Sequence, residues 1–61
     1  MSRKSSEQAR AEVRAAAQSV LAERGVAGFS VDAVVERSGV AKTTIYRHWP
    51  SAHHLLVDTA A

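Results

Sequence analysis

The stretch AKTTIYRHWP, Ala41 to Pro50, gathers an ammonium, a guanidinium, an imidazole, a phenol and two hydroxyls. Placed on a helix at about 100° per residue, Ala41, Ile45 and Trp49 stack at i, i+4 and i+8 as a buried seam. Thr43 and Arg47 then point the opposite way. Thr44 and Tyr46 flank them, and Lys42 and His48 sit at the shoulders. No acidic residue occurs from Val40 to Leu56. Such a face suits a DNA major groove, which admits one helix and displays donors, acceptors and thymine methyls. Thr43 and Thr44 are short enough for close approach. Arg47 can grip guanine O6 and N7 with two bonds, while Lys42, Tyr46 and His48 can donate to phosphate oxygens and fix the register. The run Thr43-Thr44-Ile45 is β-branched and forms helix poorly. Its cost, a few tenths of a kcal/mol per threonine, is tolerable where a contact needs those side chains.

One exposed Thr, Arg or Lys is usually just a solvated face. Six such polar side chains together, without an acid and directly after a glycine turn, favour DNA contact. Trp49 shares the Ile45 face and is expected in the core rather than as a stacking platform. His48, His53 and His54 invite a metal reading. However, His53 and His54 lie about 100° apart on a helix, and Pro50 separates them from His48. Only Asp58, four residues after His54, could add a carboxylate. The histidines are therefore expected on the surface, with no metal site. Neither a phosphate-cradling G-x-x-x-x-G-K-[ST] nor a dinucleotide-binding G-x-G-x-x-G occurs. No catalytic grouping and no cofactor is expected.

The elements that must position these groups are all helical. Ser5 with Gln8 three residues later reads as a capping box. Ala9, Val13, Ala16, Ala17, Val20 and Leu21 form one apolar stripe at helical period. Gly25 suits a left-handed cap, so helix 1 is expected from Ser6 to Arg24. Phe29 is expected to plug the core after a short connection. Ser30 caps helix 2, Asp32 favours its positive end, and Val31, Val34 and Val35 form its inner side. Ser38-Gly39 ends it at about Arg37, and Val40 anchors the turn. Helix 3 is expected from about Ala41 until Pro50 stops it. Ser51 caps helix 4, with Leu55 and Leu56 inward. Two short helices joined by a tight glycine-containing turn make a helix-turn-helix.

With 61 residues and no cysteine, the chain holds one small domain at most, without disulfides or cysteine-based zinc. The net charge is +2. It is concentrated in Arg3 and Lys4 at the start and in Lys42 and Arg47, both plausible places to touch a polyanion. No apolar run approaches membrane-spanning length.

The stretch GVAGFSVDAVVERSGVAKTTIYRHWPSAHHLL resembles the DNA-binding domain of the TetR family of bacterial transcriptional regulators. The likeness rests on Gly25, Gly28, Phe29-Ser30-Val31, the Ser38-Gly39-Val40 turn, Lys42, the run Thr44 to Trp49, Pro50-Ser51 and Leu55-Leu56. It covers about residues 9 to 61. The resemblance implies an all-α, homeodomain-like three-helix domain over residues 6–50, with the helix-turn-helix at about 30–49. A disordered basic arm would precede it at 1–5. Residues 51–61 would begin a fourth helix, cut before a C-terminal effector-binding and dimerising domain that this chain does not contain. It further implies a cytoplasmic homodimer on a palindromic double-stranded operator, most often a repressor released by a small ligand. By position, Lys42, Thr43, Thr44, Tyr46, Arg47 and His48 match the family's recognition-helix contacts, and Ser30 matches a phosphate contact. Two positions depart from the pattern. Ala41 stands where serine is common, removing a helix cap and a hydroxyl. Ala52 stands where a phosphate-gripping lysine is common; His53 is its nearest replacement. The alternatives are a helical protein-interaction module or a non-specific nucleic-acid binder. Salt separates the first, because phosphate-driven binding weakens steeply with ionic strength and apolar contact does not.

Overall fold

The computed structural model describes residues 6–61, and among these residues the secondary structure is four helices with no strand. Helix α1 spans Ser6–Arg24, α2 Val31–Ser38, α3 Lys42–His48 and α4 Ala52–Ala60. The basic arm expected over residues 1–5, and the capping role of Ser5, lie outside the described residues.

Helix α1 is alanine-rich, so it forms at little entropic cost. Its stripe Ala9, Val13, Ala16, Ala17 and Val20 is buried. Leu21, at the edge of the stripe, is only half-buried. The chain leaves α1 through Gly25, at φ 75°, whose N–H donates to Leu21 O at 2.8 Å. Phe29 then packs half-buried against the core. Ser30 starts α2 as expected: its backbone is extended and its Oγ accepts from Ala33 N at 3.1 Å. Val31 and Val34 face inward with Ala33, while Val35 is partly buried. On the outer side, Arg37 crosses back to α1. It donates to Ser19 Oγ and, at 2.5 Å, to Glu23 Oε1. That hydrogen bond and then the Arg37 charge hold the Glu23 carboxyl below its ordinary value. The depressed value means this contribution is present near neutrality and fades on acidification.

The turn from α2 to α3 is three residues, Gly39-Val40-Ala41. Gly39 sits at φ 75°, ψ 7°, and its N–H donates to Val35 O at 2.9 Å, closing α2. Val40, buried, pins the turn to the core. A Cβ on Gly39 would meet nothing within 4 Å, so the strain of an alanine there would be purely backbone. Gly39→Ala is expected to destabilise the domain by about 1–2 kcal/mol. The reading is a lower denaturant midpoint at unchanged slope. An unchanged midpoint would mean the turn relaxes out of the left-handed region.

Two boundary residues correct the expected geometry of α3. Ala41 was expected in the buried seam, but it is exposed. It is the N-cap, in an extended conformation (φ −62°, ψ 144°), so helical phase does not carry it onto the Ile45 face. Trp49 lies beyond the last helical residue, at φ −129°, ψ 103°. Pro50 disfavours helix at the residue before it. Trp49 is nonetheless buried, its indole in the core and hydrogen-bonded to Asp58 of α4. Its backbone N–H still donates to Ile45 O at 2.8 Å. Ser51 caps α4 by accepting from His54 N at 3.3 Å. Leu55 is fully buried; Leu56, expected inward with it, is only half-buried. Thr59 is also buried, and its hydroxyl donates to Leu55 O at 2.7 Å.

The core joins all four helices through Val13, Val20, Val34, Ile45, Trp49 and Leu55, with alanines filling between them. This is a helix-turn-helix domain whose short α3 is held by one isoleucine, one tryptophan and the Val40 anchor.

Candidate functional site

Helix α3 presents the predicted face. Ile45 is 0% exposed, whereas Lys42, Thr43, Tyr46 and Arg47 are exposed. Thr44 and His48 are half-buried at its edges. The His48 ring stands edge-on to Trp49, with centroids 5.7 Å apart. Tyr46, 41% exposed, is one turn from Lys42 on the same side of the helix. The Arg47 guanidinium enters no ion pair among the described residues. Thr43 stands one turn before it. A hydroxyl and a guanidinium therefore project side by side from the helix, directly away from the Ile45 seam.

Ser30 lies at the start of α2, half-buried. Its Oγ lone pair is engaged by Ala33 N, which leaves the hydroxyl hydrogen able to donate outward. The expected set therefore divides. Lys42, Thr43, Tyr46 and Arg47 share one open face of α3, Thr44 and His48 border it, and Ser30 stands apart on α2.

Two carboxylates were not read into this arrangement from the sequence. Asp32 Oδ1 lies 2.5 Å from Lys42 Nζ, with the side chains 78% and 51% exposed. The sequence suggested only that Asp32 favours the end of α2. The contact arises because the three-residue turn packs α3 against α2, within reach of the long Lys42 side chain. The hydrogen bond Lys42 donates to Asp32, and then the Asp32 charge, raise Lys42 above the ordinary lysine value. Asp58 is the second carboxylate. It accepts from Trp49 Nε1 at 3.0 Å and lies 3.6 Å from Arg14 Nε. This carboxylate ties α1 and α4 to the end of α3, behind the exposed face. The sequence singled out Asp58 only as the carboxylate four residues after His54, not as a partner of Trp49 or Arg14.

The three histidines do not converge. His54 Nδ1 is 2.8 Å from Ser51 Oγ, within the α4 cap. His53 is exposed, and no group of three or more His, Cys, Asp or Glu side chains able to hold a metal occurs among the described residues. No described helix is long and apolar enough to cross a membrane.

Comparison with known proteins gives one family match. The family model for bacterial regulatory proteins of the tetR family matches residues 13–59. The match takes in α2, the turn and α3 entire, with most of α1 and α4. No curated protein and no solved structure matches the chain significantly.

Proposed function

Because the chain belongs to the tetR family of bacterial regulatory proteins, we propose that it reads double-stranded DNA by laying α3 in the major groove. One observation carries the proposal: the outer side of α3 is exposed and has no acidic residue of its own, while its inner side is sealed by Ile45. Arg47 and Thr43 reach base edges, with Thr44 at the border. Lys42, Tyr46, His48 and Ser30 donate to phosphates. The activity is binding, without bond-making chemistry.

The remaining parts of the reading follow family likeness. The full regulator acts in the cytoplasm as a homodimer on a palindromic operator, most often as a repressor. A small-molecule effector acts through a C-terminal domain outside this chain. Within the chain, residues 6–50 form the DNA-binding unit and residues 51–61 begin the fourth helix. Palindromic half-sites would then lie about one helical turn apart or multiples of it, as two-fold symmetry requires. A protein-interaction role has less support. Val57, 53% exposed on α4, and Val26, 68% exposed after α1, are single aliphatics on separate elements rather than a broad patch.

Selection from a random duplex pool, followed by salt titration of the winner, tests the proposal. The expected result is a defined half-site and a log–log salt slope of about −0.9 per phosphate neutralised. Shift mapping should centre on α3 and the start of α2. No enrichment in dilute buffer, or contacts centred on α4, would refute it.

A further inference from the structure

We propose that Asp32 acts as an internal stand-in for a DNA phosphate, holding Lys42 so that each encounter with a duplex must displace it. The inference rests on the DNA-facing reading of α3 given above. The geometry behind it is independent of that reading. Asp32 lies two residues after the Ser30 cap, and Lys42 is the first residue of α3. Lys42, read above as a donor to phosphate, is therefore already engaged by an anion of the protein itself, the Asp32 carboxylate. With its side chain 78% exposed, Asp32 is free to move aside. An exposed pair of this kind adds little to fold stability, so stability gives weak reason for it.

The electrostatic consequence follows from counterion release. A lysine that neutralises one phosphate contributes about −0.9 to the log–log salt slope. Lys42 must first leave a carboxylate, and that carboxylate then faces the phosphates. The pair's net contribution is near zero. Asp32 thus lowers affinity for every duplex by a similar factor, whatever its sequence. The chain is held less by bulk DNA, and base selection is left to the rest of α3.

The experiment compares Asp32→Asn with the parent chain on one short duplex of mixed sequence and on a selected site, across a salt series. Asp32→Asn is expected to bind both duplexes about 3–10-fold tighter at 50 mM salt, with a slope steeper by about 0.9, so that the gain shrinks about 3.5-fold at 200 mM. In a Lys42→Gln background the same substitution should lose most of its effect. Melting curves for each variant confirm that folded protein is being compared. Equal tightening with and without the Lys42 cation would overturn the proposal in favour of general charge repulsion. A changed base preference in Asp32→Asn would overturn it in favour of direct base contact by Asp32. Unchanged affinity would overturn it while leaving the DNA-binding reading intact. Failure of parent and variant alike to bind DNA would overturn both.

Discussion

Trp49→Ala is expected to leave the domain largely unfolded at 25 °C. The indole is 6% exposed, and removing a buried tryptophan costs about 3–5 kcal/mol in transfer and cavity terms. A domain of this size commonly holds only about 3–5 kcal/mol in total. The loss falls where α3 is weakest. Helix α3 has seven residues, no side-chain cap at Ala41 and a β-branched run, so it cannot persist without its anchors. Trp49→Phe separates the two roles of the ring. It keeps most of the apolar volume and loses the hydrogen bond to Asp58, at a cost of about 1 kcal/mol, since that half-exposed carboxylate can turn to water. Thermal melts followed by circular dichroism check both variants. A cooperative transition for the alanine variant close to the parent's would contradict the anchoring role of the indole.

Arg47→Ala is expected to do the reverse, keeping the fold and losing discrimination. Its side chain is exposed and in no ion pair among the described residues, so stability should change by no more than about 0.5 kcal/mol. A bidentate grip on guanine contributes about 1–3 kcal/mol of preference over the wrong base. Repeating the duplex selection with Arg47→Ala should flatten preference at one position of each half-site while the others persist. If binding instead weakens uniformly and the salt slope falls by about one, Arg47 is a phosphate contact.

The helices were legible because their signals are local. The α1 stripe has helical period, Ser30 and Ser51 are cap residues followed by matching N–H groups, and Gly25 and Gly39 stand where a left-handed residue closes a helix. The face of α3 was legible for the same reason, since spacing alone sets Thr43 and Arg47 opposite Ile45. Phase reasoning failed at the two ends of that helix. Ala41 and Trp49 have extended backbones, so the 100° step does not apply to them. Trp49 is buried all the same, but the bend at Pro50 and the tie to Asp58 on α4, rather than helical phase, put it there.

From its residues alone, then, this chain determined which segments are helical, where they stop, and which side of α3 is polar. Those properties depend on backbone preferences and on side-chain periods spanning a few residues. Tertiary structure alone decided which charges meet. Asp32 and Lys42 are ten residues apart, and Asp58 is nine from Trp49 and further still from Arg14. Periodicity within one helix says nothing about such pairs, because they exist only once the turn at Gly39 and the bend at Pro50 fold separate helices against one another.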